Sequence, residues 1–145
     1  MGHQYRVGIV GTGSMGRTHA RAWSQTPAKL FGFASRSPET SLALADQFNT
    51  PVYRSIEEIL PHIDVLDICT PTHLHHEMTL AAARAGVHVI CEKPLARTVA
   101  EAKEMIEVCE AAGVKLLVAH VVRFFPEYAA AQQSVEAGEI GQPAI

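Results

Sequence analysis

Residues 6–16 read Arg6-Val7-Gly8-Ile9-Val10-Gly11-Thr12-Gly13-Ser14-Met15-Gly16. A short apolar run passes without a break into glycines spaced G-x-G-x-x-G, and a helical pattern follows from about Met15 to Trp23. A second apolar run begins at Leu30, which completes a strand, glycine turn, helix and strand in succession. In that setting Gly11 permits the tight turn, Gly13 leaves room for a pyrophosphate against the backbone, and Gly16 lets the helix pack close to the sheet. The first amides of the helix and its positive end attract the anion. Gly11, Thr12, Gly13, Ser14, Met15 and Gly16 therefore form the expected cradle for a dinucleotide. No Lys-Ser/Thr pair follows Gly16, which excludes a Walker loop.

Working outward, apolar runs of strand length recur at Arg6 to Val10, Leu30 to Ser35, Val65 to Cys69, Val87 to Cys91 and Lys115 to Ala119, with weaker strand material at Val52-Tyr53. Helical patterns lie between them. Thr98 and Glu101 have capping-box spacing at the head of a helix to Ala112, on which Val99, Ala102, Met105, Ile106 and Cys109 make one face. Ser55 and Glu58 repeat the box on a shorter helix. Another helix runs from about Leu74 to Ala85 and closes at Gly86, and Ser37-Pro38-Glu39 caps one more. Strands that are apolar throughout imply helices on both faces, hence an α/β fold with a doubly wound, mostly parallel sheet in one domain.

The chain has 145 residues, a size that supports one core, and its formal charge of −3 gives no footprint for nucleic acid. The 3 cysteines, Cys69, Cys91 and Cys109, have neither disulfide-framework nor zinc spacing, so a reducing, cytoplasmic setting is expected. No apolar run approaches the length of a membrane span. Met1-Gly2-His3 takes no part in the fold argument.

On an open parallel sheet, ligands lie beyond the carboxyl ends of the strands. The second strand ends in Ala34-Ser35-Arg36-Ser37, where NAD sites carry an acid that accepts from the ribose hydroxyls. The missing acid, with Ser35 and Arg36 able to donate to a 2′-phosphate, favours NADP(H) while leaving NAD(H) possible. Two further strand ends are unusual: Cys69-Thr70-Pro71-Thr72-His73-Leu74-His75-His76-Glu77, and Val89-Ile90-Cys91-Glu92-Lys93-Pro94-Leu95. A fixed cation such as Lys93 at a ligand edge favours the alkoxide-like charge that develops as hydride leaves a secondary alcohol, and Glu92 can orient it.

GIVGTGSMGRTHA, CTPTHLHHE, VICEKPLART and KLLVAHVVRFFPEY, in that order, resemble the N-terminal half of the Gfo/Idh/MocA oxidoreductases, over essentially the whole chain. The glycine loop is shared with many families, whereas Glu-Lys-Pro after the fifth strand is far more specific. The resemblance implies a nicotinamide-dependent enzyme acting on a sugar, cyclitol or similar polyol. Glu92 would contact the nicotinamide end of the coenzyme, and Lys93 would be the catalytic residue. Pro94 would hold the turn through a cis bond, while Thr70, Pro71, Thr72 and His75 would line the pyrophosphate and nicotinamide ribose. It also implies a second domain beyond GEIGQP that carries further catalytic groups and the interface of a homo-oligomer. The chain, ending at Ile145, reads as the nucleotide-binding domain without that partner, poorly active alone.

The chain departs from the family at Ala119, where Gly is usual, and at Val121 and Val122, where many relatives carry Asn and Arg. His73, His76 and Glu77 have helical spacing but are not HExxH, and no metal is expected. His19 reads as a packed helix residue. Two alternatives stay open: a non-catalytic nucleotide-binding regulatory module, and a glycosidase that uses NAD transiently.

Overall fold

Each apolar run becomes a strand: β1 Arg6–Val10, β2 Lys29–Ala34, β3 Val52–Tyr53, β4 Val65–Ile68, β5 His88–Cys91 and β6 Leu116–Val118. The computed structural model describes residues 4–141, so Met1 to His3 and the Gln142-Pro143 end of GEIGQP lie outside the described residues. The strands form one sheet in the order β3-β2-β1-β4-β5-β6, with every pairing parallel. The order reverses between β1 and β4, and there the ends of two adjacent strands open a crevice.

The helices are α1 Ser14–Trp23, α2 Pro38–Phe48, α3 Ile56–Ile59, α4 His75–Arg84, α5 Val99–Ala111 and α6 Pro126–Glu136. Side chains alternate along each strand, so consecutive residues serve opposite faces. Ile9 and Phe33 pack with Ala20, Leu44 and Ala45 on the side of α1 and α2. Val10, Ala34, Leu66 and Ile68 pack with Ile59, Leu80 and Met105 on the side of α3, α4 and α5. Both faces are covered, as a doubly wound sheet requires.

Several details differ from the sequence expectation. The capping box of α5 forms in full, with the Glu101 amide donating to Thr98 Oγ1 and the Thr98 amide donating to Glu101 Oε2, both at 3.2 Å. Its buried stripe, however, is Met105 and Cys109 with Ala102 and Val108 at the margins. Val99 is 73% exposed, and Ile106, seven residues on, shares that flank. The second box does not close: the Glu58 carboxylate takes the Arg54 amide and the Ser55 hydroxyl bonds Glu57 instead, and α3 passes after one turn into a 3-10 turn at Leu60–His62. A 3-10 turn, Thr72–Leu74, also precedes α4. β6 is the sheet edge and leaves Leu117 exposed, so burial on both faces does not extend to it.

The glycine loop behaves as read. Gly11 has φ +91°, and a Cβ on it would lie 2.7 Å from the Cys69 carbonyl, so this turn rests directly on the end of β4. A Cβ on Gly16 would fall on the Gly11 carbonyl oxygen, whereas one on Gly13 meets nothing within 4 Å. Gly16→Ala is therefore expected to destabilise the chain by about 3 kcal/mol in urea unfolding, while Gly13→Ala stays within about 0.5 kcal/mol. Equal effects at the two positions would contradict this packing.

Candidate functional site

The crevice begins at the head of α1. Gly13 is the N-cap and the first turn holds no acid, so the free amides of Ser14, Met15 and Gly16 face a space that a side chain at residue 13 would enter. The Thr12 hydroxyl is hydrogen-bonded to buried Ser41 at 2.7 Å, which ties the loop to α2. Ser14 and Met15 are exposed, and the Ser14 carbonyl accepts from the Thr18 hydroxyl.

Beside the loop, at the end of β2, a groove of about 250 Å³ is lined by Gly11, Ser35, Arg36, Ser37, Thr70 and Pro71 among others. Ser35 Oγ turns back on the loop, accepting the Ser37 amide and donating to the Ser37 carbonyl. Arg36 is exposed. A neighbouring cavity of about 310 Å³ adds Arg54, Ser55, Glu57 and Glu77 to Ser35 and Arg36. Arg54 is thus a second guanidinium at this end. The Ser55 hydroxyl bonded to Glu57 holds that carboxyl below its ordinary range.

His75 is not a lining residue. Its ring is 1% exposed, with Nδ1 on the Pro94 carbonyl at 3.0 Å and Nε2 on the Thr70 carbonyl at 2.8 Å. Both ring nitrogens face backbone carbonyls, the tautomer deciding which one donates, and the side chain bridges the loop after β4 and the turn after β5. Thr70 and Thr72 are half-buried and Pro71 is exposed at the rim of the crevice, and Thr70 Oγ1 donates to Met78 Sδ at 3.6 Å. His73 is exposed and His76 pairs with Glu104 on α5 at 2.8 Å, so these two histidines point to different neighbours.

The turn after β5 carries a cis peptide bond between Lys93 and Pro94. Lys93 is exposed and lines a cleft of about 560 Å³ together with His120, Val121, Val122, Arg123 and Tyr128. His120, Arg123 and Tyr128 belong to the KLLVAHVVRFFPEY stretch that carries the resemblance but are not among the expected site residues. Glu92 is 5% exposed and its Oε2 accepts the Lys93 amide at 2.9 Å, so it orients Lys93 through the backbone and not through the ammonium.

Beneath this rim lies a network the sequence reading passed over. Asp67 stands in β4 at 0% exposure, facing α1 beside Ile9 in the parallel register. Its carboxylate meets His19 Nδ1 at 2.9 and 3.0 Å and accepts from Trp23 Nε1 at 2.7 Å. His19 Nε2 lies 3.2 Å from Glu92 Oε1. The hydrogen bond to Asp67 holds the His19 pKa above its ordinary value and outweighs the opposing effect of burial, with the charges of Asp67 and Glu92 adding to it. Cys69 sits against Asp67, and burial followed by that charge pushes its thiol far up; burial likewise pushes Cys91 up to about 12. His19, Asp67 and Cys69 place donor atoms within 4.8 Å of one another. Asp67 accepts from two N–H donors and the Cys69 thiol lies 3.7 Å from it, so the three side chains form one hydrogen-bond network.

A parallel sheet of this order, with a glycine turn at its switch point, defines a Rossmann-type dinucleotide-binding domain. Residues 5–120 match the family described as "Oxidoreductase family, NAD-binding Rossmann fold", and the chain belongs to this family, Gfo/Idh/MocA. It is 38% identical to the levoglucosan dehydrogenase of Pseudarthrobacter phenanthrenivorans, over 94% of this chain and 38% of that protein. The apo scyllo-inositol dehydrogenase of Lactobacillus casei superposes with a TM-score of 0.88 at 27% identity, over 95% of this chain and 43% of that one. The WlbA dehydrogenase of Bordetella pertussis, solved with NADH and UDP-GlcNAcA, also gives 0.88 at 29% identity, over 96% and 44%. The chain thus spans about two-fifths of the length of the relatives it matches. Among the described residues no helix is long and apolar enough to cross a membrane.

Replacing His75 by Phe keeps the ring volume but leaves the Thr70 and Pro94 carbonyls unpaired. A loss of about 2–3 kcal/mol is expected in thermal unfolding, with faster amide exchange concentrated at residues 70–74 and 92–95.

Proposed function

We propose that this chain is the coenzyme-binding domain of an NAD(P)-dependent oxidoreductase that moves hydride between the nicotinamide and a secondary alcohol of a sugar, cyclitol or related polyol. The observation that carries this reading is the exposure of Lys93 in an open cleft at the end of β5, joined through His75 to the loop after β4, on whose first residues the glycine turn of β1 rests. The dehydrogenases it resembles point to the substrate class.

In this reading the backbone of Gly11, Thr12, Gly13, Ser14, Met15 and Gly16 holds the pyrophosphate, and the open space at Gly13 fits that group. Thr70, Pro71 and Thr72 line the path toward Lys93, and Glu92 sets the turn. The bound coenzyme supplies the hydride acceptor or donor. Lys93 offers a hydrogen bond to the reacting hydroxyl and favours negative charge developing on its oxygen.

The adenosine end supports NADP(H) as the tighter-bound coenzyme. No carboxylate closes β2, and Ser35, Arg36 and Arg54 line one cavity, together with Glu57 and Glu77. The family description and the NADH complex of WlbA favour NAD(H) for relatives, so the preference is a property proposed for this chain. The exposed apolar residues around the Lys93 cleft, among them Phe124 at 83%, Val121, Val122 and Tyr128, suit a surface covered by a second domain. That domain would complete the substrate site and assemble the homo-oligomer, and without it turnover would be slight.

Fluorescence titration with NADPH and NADH tests the reading. Saturable binding of both is expected, tighter for NADPH, with Arg36→Ala weakening NADPH about tenfold through loss of a charge-assisted contact and leaving NADH nearly unchanged. Equal or tighter NADH binding by the wild type would rule out the preference, and no binding of either would rule out the function.

A further inference from the structure

A carboxylate at 0% exposure inside a strand is expensive unless it is paired, and Asp67 is paired through a ring that has a second anion on its other side. Carboxylate oxygens only accept, and His19 presents one nitrogen to Asp67 and the other to Glu92. Both contacts are good hydrogen bonds at once only when both nitrogens carry protons. Glu92, held from one side by His19, uses its other oxygen to hold the Lys93 amide at 2.9 Å. The connection Asp67, His19, Glu92, Lys93 therefore runs from the sheet interior to the exposed turn.

We propose that His19 is a positioning residue: as an imidazolium clamped between Asp67 and Glu92 it fixes the carboxylate that holds the Lys93 amide, and losing one proton releases that turn. The effect on coenzyme binding rests on the function proposed above, whereas the effect on the turn does not.

The charged and titratable neighbours can be named from each packed element. Asp67 and Cys69 approach from β4 and its end, Cys91 and Glu92 from β5 and its end, and Trp23 from the same helix as His19. Both thiols are held protonated, so among the described residues the charges facing the ring are the two carboxylates. They hold the folded-state pKa of His19 above the ordinary 6.5. The clamp is therefore intact below the unfolded-state value and is lost as pH rises through the folded one. A neutral ring keeps one N–H, and the stronger, double-oxygen contact with fully buried Asp67 retains it. Glu92 then faces a lone pair and lets go.

Trp23 is the chain's single tryptophan and touches the same carboxylate, so its emission reports the network directly. On ¹⁵N-labelled protein titrated from acid to alkaline pH, the His19 ring, the Trp23 emission and the Lys93 amide shift are expected to move with one common midpoint above the ordinary histidine range. Asp67→Asn should shift that midpoint toward acid, and His19→Gln should abolish the step in both Trp23 and Lys93. NADPH affinity of the wild type should fall about tenfold across the same step and be flat in His19→Gln. A Lys93 amide that stays constant while the His19 ring titrates, a step that survives in His19→Gln, or an NADPH affinity blind to the step would each overturn the positioning role. If the wild type binds no coenzyme at any pH, the proposed function fails, and the amide titration, which needs neither ligand nor variant, still decides the clamp.

Discussion

Asp67 is a full negative charge sealed within a parallel strand, and the upper half of the sheet is arranged around neutralising it. Removing a carboxylate from water carries a penalty of several kcal/mol unless donors replace the water. Those donors come from α1, as His19 Nδ1 and Trp23 Nε1. Their delivery requires α1 to lie close against the ends of β1 and β4, and that approach is possible only because residue 16 has no side chain to strike the Gly11 carbonyl. One spacing of glycines thus serves two ends: it opens the head of the helix toward an anion and brings the middle of the same helix onto a buried acid. The pairing of His19 with Glu92 extends this economy to the neighbouring strand end, 73 residues further along the chain.

Much of this was legible in the residues. The apolar runs placed the strands to within about two positions, because a strand buried on both faces leaves a continuous hydrophobic signature. The glycine turn was legible because its chemistry is local. The acid network was not, since Asp67 sits inside a run, Val65 to Cys69, that reads as apolar by majority, and its partners are 44 and 48 residues away. A signal was nevertheless there: a lone acid in a strand covered on both faces demands donors, and His19 and Trp23, four apart on a helix, present themselves on one side. His75 was assigned to the right loops but to the wrong side of them, because a histidine in a polar loop does not declare whether its nitrogens face a ligand or the backbone. The Ser55-Glu58 spacing failed for a different reason, as both arms of the box found other partners, Ser55 bonding Glu57 and Glu58 taking the Arg54 amide.

The rim at the carboxyl ends of the strands divides into two regions of contrasting character. The end near β2 is small, grooved and lined by arginines and glutamates. The end near β6 is wide and apolar, with Lys93, His120 and Arg123 as its polar members. The first region is closed by this chain's own loops, while the second lies open toward exposed aromatic and aliphatic side chains. The chain spans about two-fifths of the length of the relatives it matches.

The His75 ring bridges two carbonyls that belong to different strand ends. It works as a strut that couples the segment after β4 to the one bearing Lys93. A disturbance on either segment is therefore handed to the other through a single imidazole.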